Sequence, residues 1–293
     1  MTRILITGAN GFLGQHLCHY FDQPGYAVIA TGRGSCRITL AEGHIYEEVE
    51  LTDKEAVQKL IKKHLPDVII HNAAMSKPDE CETNKAGCLE ANVEATKNLL
   101  KAASAFFIYV STDFIYGEDG PHSEAEKPQP LNFYGESKLM AEMQVKGSEV
   151  DTAIIRPVFI YGSQFAGSRP SFLHWVKNNL EQGRKIKVVS DQQRTPTYAP
   201  DICSGIEAII LHKVTGDFNL AGKDIISPYE MAITTAKELG LDVSLIEKVT
   251  SETFPEPVRR AKRSGLKIEK AQQVLGYSPV SFREGVRLTF ELT

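Results

Sequence analysis

The sequence predicts an α/β protein built on a doubly wound parallel sheet, with helices on both faces and a smaller C-terminal α/β lobe. Two observations lead to this prediction. Short β-branched runs alternate with helix-length segments from residue 3 to about 160, which is the pattern of a parallel sheet covered by helices. A glycine-rich turn also joins the first strand to the first helix. We therefore expect right-handed crossovers throughout this half.

The period of the apolar residues defines the elements of the first half. Strands are predicted at residues 3–7, 26–31, 45–49, 68–71, 106–111 and 152–156. Helices are predicted between them at residues 12–22, 54–64, 87–103 and 133–147. Thr52 or Asp53 is the expected N-cap of the second helix, because either side chain can accept a hydrogen bond from the first helical amides.

The alternation loosens after Arg156-Pro157, where helices are separated by single short strands. The helices are predicted near residues 169–182, 200–212, 228–239, 267–275 and 282–289. Capping boxes at Ser227/Glu230 and Ser281/Glu284 mark two of their starts. We therefore predict a larger domain at 1–160 and a smaller lobe at 161–293, with some of the later chain returning to the first sheet.

Composition narrows the classes of partner. The 293 residues carry a formal net charge of -4, so nucleic acid and anionic membranes are poor candidates and a small ligand is expected. No apolar run approaches the roughly 18 to 20 residues of a membrane span, and the start is too short for a signal peptide. We therefore expect a cytoplasmic protein. Cysteines and histidines lack metal-ligand spacing, so we expect reduced, mostly buried thiols and no metal site.

The first candidate site is the turn Gly8-Ala9-Asn10-Gly11-Phe12-Leu13-Gly14, which follows the first strand and opens the first helix. Glycines allow a sharp turn and a close approach of the main chain to a pyrophosphate, while the helix N-terminus offers free amides. A turn that binds no ligand has the same spacing, but the position after a strand favours a dinucleotide. The turn therefore predicts a Rossmann-type dinucleotide-binding domain.

Arg33 marks the end of the second predicted strand, where Rossmann proteins distinguish NAD from NADP. No acid is present in Ala30-Thr31-Gly32-Arg33-Gly34-Ser35. An arginine there can bind a ribose 2'-phosphate through a charge-assisted fork. NADP(H) is therefore favoured over NAD(H); the alternative is a solvated Arg33 and an enzyme that accepts both cofactors.

Tyr134 and Lys138 are candidate catalytic residues because four residues separate them, which places them on one face of a helix. The charge of a nearby lysine should lower the pKa of a phenol, so that the tyrosine can give its proton to a carbonyl oxygen. Thr112 follows a central strand, at the sheet edge where such folds bind ligands, and its hydroxyl can orient that oxygen.

Five motifs in register resemble the extended short-chain dehydrogenase/reductase family. They are Gly8-x-x-Gly11-x-x-Gly14, Asn72-Ala73-Ala74, Ser111-Thr112-Asp113, Tyr134-x-x-x-Lys138 and Arg156-Pro157-x-x-x-Tyr161-Gly162. Two later segments, residues 191–197 and 260–270, are similar to the dTDP-4-dehydrorhamnose reductase subfamily. The resemblance implies reduction of the 4-keto group of a nucleotide-linked 6-deoxyhexose, and a homodimer is a family expectation.

The resemblance assigns roles residue by residue. Thr112, Tyr134 and Lys138 would form the catalytic set, with Lys138 also holding the nicotinamide ribose. The implied cofactor-binding residues are Gly8, Asn10, Gly11, Phe12, Leu13, Gly14, Arg33, Leu51, Asn72, Ala73, Ala74, Asn92, Tyr134, Lys138, Pro157 and Val158. Of these, Ala73, Ala74 and Asn92 would line the cofactor channel, and Pro157 and Val158 would lie close to the nicotinamide.

Departures from the family pattern leave alternatives open. Phe12 stands where Gln is usual, Glu50-Leu51 replaces Asp-Leu beside the adenine, and Phe159 replaces a Trp of the substrate pocket. One alternative is an NAD-dependent epimerase or dehydratase, although Asp113-Phe114 replaces the Asp-Glu pair of dehydratases. Another is a non-catalytic NADP-binding subunit that resembles the beta subunit of methionine adenosyltransferase. The basic cluster at residues 259–263 would meet a diphosphate or water equally well.

Overall fold

The computed structural model describes residues 1–40, 42–165, 167, 170–254 and 258–292. Its strands in these ranges are β1 (Thr2–Thr7), β2 (Tyr26–Gly32), β3 (Ile45–Glu48), β4 (Val68–His71), β5 (Phe106–Val110), β6 (Thr152–Arg156), β7 (Ile160–Tyr161), β8 (Ile186–Val189), β9 (Thr197–Tyr198), β10 (Gly216–Asn219) and β11 (Ile246–Val249). Its helices are α1 (Phe12–Tyr20), α2 (Lys54–His64), α3 (Pro78–Thr83), α4 (Lys85–Leu89), α5 (Ala95–Ala102), α6 (Phe133–Lys146), α7 (Phe172–Glu181), α8 (Ala199–His212), α9 (Pro228–Glu238), α10 (Glu269–Leu275) and α11 (Phe282–Thr289).

The central sheet has seven parallel strands in the order β10-β6-β5-β4-β1-β2-β3. The direction of winding reverses between β1 and β4, and ligands of doubly wound sheets bind outside such a switch point. In the register of the sheet, Thr7 lies beside both Thr31 and His71. The turns after these three strands therefore meet at one edge, and the predicted doubly wound α/β fold is confirmed.

Both faces of the sheet are covered, because successive side chains of β1 point to opposite sides. Ile4 and Ile6 pack in one core cluster with residues of α1 and α8. Leu5 packs in the other with residues of α2, α5 and α6. Burial on both faces explains why these strands consist of nearly continuous apolar runs.

The C-terminal part of the chain contributes strands to three sheets. β10 pairs with β6 and so returns to the central sheet. β8 and β11 form a separate two-stranded parallel sheet, whose apolar residues cluster with those of α7 and α9. β7 and β9 form a third, very short pair.

Most differences from the predicted elements occur at their ends or involve short elements. α1 ends at Tyr20 rather than 22, and α6 ends at Lys146. The helix predicted at 87–103 begins at Lys85 and contains a π-helical turn, Glu90–Glu94, between α4 and α5. The six-residue α3 was not predicted, because it is too short to show a helical period. Residue 169, the predicted start of α7, lies outside the described ranges.

The cap predictions are only partly met. Asp53, not Thr52, caps α2 by accepting from the amides of Glu55 and Ala56. The box at Ser227 is complete. At Ser281 only half of the box forms, in which the serine hydroxyl accepts from the Glu284 amide. All five cysteines are free, and only Cys36 is exposed. Among the described residues, no helix is long and apolar enough to cross a membrane, and no group of three His, Cys, Asp or Glu side chains is placed to hold a metal.

Candidate active site

The carboxyl ends of the central strands open into a cleft of about 1080 Å³. It brings together most of the residues predicted from the sequence: Gly8, Asn10, Gly11, Phe12, Leu13, Arg33, Leu51, Asn72, Ala73, Ala74, Thr112, Tyr134, Lys138 and Pro157. Gly14, Asn92 and Val158 do not line it. The cleft also contains residues to which the sequence gave no role of their own, among them Arg37 and Ser111.

The glycine turn forms one end of the cleft. Gly11 is the N-cap of α1 and has no side chain to cap the helix. The first helical residues, Phe12 and Leu13, line the cleft, so the uncapped amides lie beside it. Gly14 acts behind the wall, because a Cβ atom there would lie 2.2 Å from the Gly8 carbonyl oxygen. An uncapped helix N-terminus over a cleft of this size fits the pyrophosphate of a dinucleotide.

Asn10 holds the loop that follows β2. Its Nδ2 donates to the carbonyl of Ser35 over 3.0 Å, and its Oδ1 accepts from the Arg37 amide over 2.9 Å. Arg33 and Arg37 are both exposed and both line the cleft. Asn10 therefore positions two cations beside the glycine turn, and the second could have been found from its place four residues after Arg33.

A buried polar network supports the end of β4. The Thr7 hydroxyl accepts from the amides of Asn72 and Ala73, each over 3.1 Å. It also lies 2.8 Å from Nδ1 of His71, whose Nε2 lies 2.9 Å from the Thr96 hydroxyl. Burial lowers the pKa of His71 to about 3. The histidine is therefore neutral near pH 7, and its contacts are those of a structural residue.

Asn92 and Val158 do not have the surroundings expected of cofactor ligands. The Asn92 Oδ1 accepts from the Met75 amide over 2.7 Å, while Nδ2 donates to the Met75 carbonyl over 3.1 Å and to the Ser137 hydroxyl over 2.9 Å. Its amide is thus used in joining the π-helical turn to the chain after Ala74. Val158 is buried in the core. Both residues shape the cleft from behind.

Tyr134 reaches the cleft because α6 packs unusually close to the end of β5. A Cβ atom on Gly135 would lie 2.1 Å from the carbonyl oxygen of Phe114, so only glycine allows this approach. Tyr134 and Thr112 both line the cleft, and the Tyr134 ring lies edge-on to Phe114 with 5.4 Å between ring centres. The local sequence Tyr134-Gly135 therefore brings the phenol into the same cleft as the threonine hydroxyl.

Lys138 lies one helical turn further on and is 2% exposed. Its Nζ donates to the Val110 carbonyl over 2.7 Å and lies 4.1 Å from the ring centre of Tyr109. Burial lowers the pKa of Lys138 to about 7, against the opposing charge of Glu142. The amine is therefore poised between its charged and neutral forms near neutral pH.

The pKa of Tyr134 moves in the direction opposite to the one that the spacing predicts. Burial is the largest cause and raises the pKa, while the nearby Thr112 hydroxyl lowers it and the charge of Asp113 raises it. Lys138 was expected to lower the pKa. The Lys138 ammonium is directed to the Val110 carbonyl, and the Tyr134 phenol is buried. Desolvation of the phenolate therefore dominates.

Arg260 of the basic cluster lines a small cavity that shares Asp113 and Phe114 with the wall of the cleft. Arg260 donates to both carboxylate oxygens of Asp79 over 3.1 Å, and Lys262 lies 3.2 Å from Asp191. Phe159 lines the cleft with a φ of 40°, a left-handed conformation that is strained for a bulky residue. The cluster is thus anchored to acids from distant segments.

A family model described as the RmlD substrate binding domain matches residues 1–292. The chain belongs to this family. A curated relative, the spore coat polysaccharide biosynthesis protein SpsK of Bacillus subtilis, is 28% identical over 98% of this chain and 96% of its own length. Another, methionine adenosyltransferase 2 subunit beta of Mus musculus, is 29% identical over 97% of this chain and 86% of its own length.

Solved structures of RmlD-type proteins have the same fold. The dTDP-4-dehydrorhamnose reductase of Bacillus anthracis, in complex with NADP, superposes with a TM-score of 0.85 at 26% identity over 100% of both chains. Membership of the RmlD family, the whole-length match and the nucleotide cleft together identify this chain as an oxidoreductase of the short-chain dehydrogenase/reductase type. The predicted resemblance is confirmed.

Proposed function

We propose that this protein uses NADPH to reduce the 4-keto group of a nucleotide-linked 6-deoxy sugar. The observation that carries the proposal is the meeting of Tyr134, Thr112 and Lys138 with the glycine turn in one cleft. The NADP complex of the similar reductase from Bacillus anthracis supports both the reaction and the cofactor.

The cofactor-binding residues would be those at the glycine end of the cleft. Amides at the start of α1 would face the pyrophosphate, and Arg33 with Arg37 would face the ribose 2'-phosphate. The buried Ser111 hydroxyl, which lines the cleft without a hydrogen-bond partner among the described residues, would be satisfied by a bound group. A reduced nicotinamide supplies hydride to a carbonyl carbon when it is bound.

Tyr134 would deliver the proton that completes the reduction, since its phenol is the acidic group next to Thr112. Thr112 would donate a hydrogen bond to the carbonyl oxygen and share its developing charge. Lys138 would hold the nicotinamide ribose, and in its charged form would reduce the cost of leaving a buried phenolate behind.

The substrate would enter from the other end. We divide the protein into a dinucleotide domain at 1–160 and a substrate lobe at 161–293 that also contributes β10 to the central sheet. Phe159 lines the cleft and Arg260 lines the small cavity beside it, so the nucleotide-sugar would contact residues from both parts of the chain.

A panel of dTDP-, GDP- and UDP-linked 4-keto sugars tests the function through loss of NADPH absorbance. Tyr134→Phe is expected to reduce kcat/KM by about 10²- to 10⁴-fold, because it removes only the proton donor. Tyr229→Phe, on α9 away from the cleft, is the matched control and should retain full turnover. Equal turnover by both variants would contradict the assignment, and turnover of substrate without net NADPH loss would instead indicate an epimerase.

A second candidate function is that of an NADP-binding regulatory subunit, favoured by the 29% identity to methionine adenosyltransferase 2 subunit beta. A partner protein of this kind needs the cofactor but not the phenol. Tyr134→Phe would then bind NADPH and its partner with unchanged affinity, and no keto sugar in the panel would be reduced by the wild type.

A further inference from the structure

Asp113 is a buried carboxyl that no step above uses. It follows Thr112 directly and begins a 3-10 turn, Asp113–Ile115, after β5. The side chain of Asp113 accepts from the Thr112 hydroxyl at Oδ1, over 3.3 Å, and from the Ser264 hydroxyl at Oδ2, over 3.0 Å. Ser264 lies 151 residues further along the chain. One carboxyl thus connects the candidate catalytic threonine to the far wall of the cleft.

The hydrogen bonds of Thr112 limit what it can do. Its hydroxyl has a single proton to donate, and its oxygen already accepts from the Phe114 amide over 3.2 Å. An ionised Asp113 has no proton to donate and can only accept, so the Thr112 hydroxyl directs its hydrogen bond to the carboxylate. A neutral Asp113 can donate to the Thr112 oxygen instead, and the threonine proton is then available to an oxygen in the cleft.

The protonation of Asp113 also reaches Tyr134. The nearby Thr112 hydroxyl lowers the pKa of the phenol, whereas negative charge on Asp113 raises it. Ionised Asp113 therefore opposes reduction twice, because it draws the Thr112 hydrogen bond away from the cleft and its negative charge disfavours the phenolate that Tyr134 becomes when it gives up its proton. Neutral Asp113 removes both obstacles.

We propose that Asp113 is a positioning residue that decides where Thr112 directs its single proton, and that its neutral form supports reduction. The proposal rests on the proposed function of Thr112 and Tyr134. It adds a residue that acts on the reacting oxygen through the threonine and makes the reaction dependent on the protonation of one carboxyl.

The surroundings of Asp113 suit a carboxyl that gains and loses a proton. Burial raises its pKa, while the charge of Arg194 and the bonds from Ser264 and Thr112 oppose the increase. Tyr116 and Arg260 face the same spot across a cavity of about 10 Å³ that Asp113, Arg194 and Ser264 also line. This is close to the smallest volume that holds one water molecule, which would be enough to carry a proton.

The pH dependence of kcat/KM for keto-sugar reduction tests the proposal in three proteins. The wild type should lose activity as the pH rises through the titration of Asp113, because the carboxylate claims the Thr112 proton. Asp113→Asn should lack this decline and keep only the loss near pH 7 that follows deprotonation of Lys138, since an amide can donate to Thr112 at every pH. Ser264→Ala should move the decline about one pH unit higher, because the carboxylate loses a donor. Asp242→Asn is the control, because Asp242 is an exposed residue outside the cleft, and it should keep the wild-type profile.

A titration followed by NMR of protein labelled at the aspartate carboxyl carbon gives a readout that needs no turnover. The Asp113 signal is the one missing from Asp113→Asn. Its pKa should rise in both Thr112→Val and Ser264→Ala, because each variant removes a bond to the carboxylate. An unchanged Asp113 titration in Thr112→Val would overturn the proposal, as would an Asp113→Asn profile that keeps the wild-type decline. If no keto sugar is reduced, the proposed function fails, and the NMR result still decides whether Thr112 and Asp113 are coupled.

Discussion

The two ends of the cleft are built in different ways. The nucleotide end consists largely of main chain from a few consecutive residues, with Gly11 at the start of α1 and Asn10 holding the next loop. The proposed substrate end depends on side chains that meet from distant positions, as when Arg260 binds Asp79 and Ser264 binds Asp113. Main-chain recognition needs little more than a strand, a glycine turn and a helix, whereas the substrate end requires the complete fold.

This difference bears on what each end of the cleft recognises. A dinucleotide presents the same pyrophosphate to every enzyme that binds it, and a helix N-terminus meets it without side-chain chemistry. The substrate end consists of loops and side chains, which can change without disturbing the sheet. We therefore expect substitutions to act through folding or cofactor affinity at one end and through specificity at the other.

The largest effect is expected at the glycine end. Gly14→Ala would place a Cβ atom 2.2 Å from the Gly8 carbonyl oxygen, so α1 must move away from β1. We expect a loss of about 3 kcal/mol in the free energy of unfolding and loss of NADPH binding, measured by urea denaturation and fluorescence titration. Gly147→Ala, at the C-terminus of α6, is the control and should cost less than about 1 kcal/mol. Normal NADPH affinity in Gly14→Ala would show that the main-chain cradle is not the binding element.

Lys138, between the two ends, should show a pH-dependent effect of burial. Its pKa in the folded protein is about 7, below the value of about 10.4 expected in the unfolded chain. Between these pH values the unfolded state binds more protons, so the contribution of Lys138 to stability rises with pH. Lys138→Met should therefore be more stable than the wild type by about 4 kcal/mol at pH 6, with the advantage shrinking toward pH 9, while turnover is lost.

Urea denaturation at several pH values measures this difference. Lys146→Met, which removes an exposed lysine of the same helix, is the matched control and should show no gain at pH 6. A Lys138→Met protein less stable than the wild type at every pH would mean that the bond to the Val110 carbonyl outweighs the cost of burying the charge.

The smallest effect is expected at the exposed Arg33, where only the choice between cofactors should change. Arg33→Ala should weaken NADPH binding about tenfold, the loss expected for one charge-assisted bond, and leave NADH binding unchanged. Fluorescence titration with both cofactors measures this. Arg184→Ala, an exposed arginine outside the cleft, should bind both normally. An equal loss for NADPH and NADH would argue against a 2'-phosphate contact.

The sequence predicted the sheet half of the fold more completely than the rest. Strands such as Val68–His71 and helices such as Lys54–His64 have the predicted bounds, because long buried runs and a capped amphipathic helix carry strong periodic signals. α3 and the two-residue β7 were missed, since elements this short have no detectable period. The π-helical turn at Glu90–Glu94 was missed because five residues are too few to show a period of their own.

The candidate site divides in the same manner. The glycine turn and the Tyr134/Lys138 spacing were found because each depends on residues close together in the chain. Asn92 was expected in the cofactor channel, but its amide binds Met75 and Ser137 instead. The lowered phenol pKa was expected from spacing alone, and spacing contains no information about burial.

The sequence by itself determined which strands alternate with helices, where the main chain turns at glycine, and which side chains share one face of α6. These features follow from local geometry and the helical and strand periods. The tertiary structure alone decided that Tyr134 and Lys138 are buried. Burial raises the pKa of the phenol and lowers that of the amine. The tertiary structure also decided that Ser264 meets Asp113, because desolvation and contacts across 151 residues depend on what the rest of the chain packs around them.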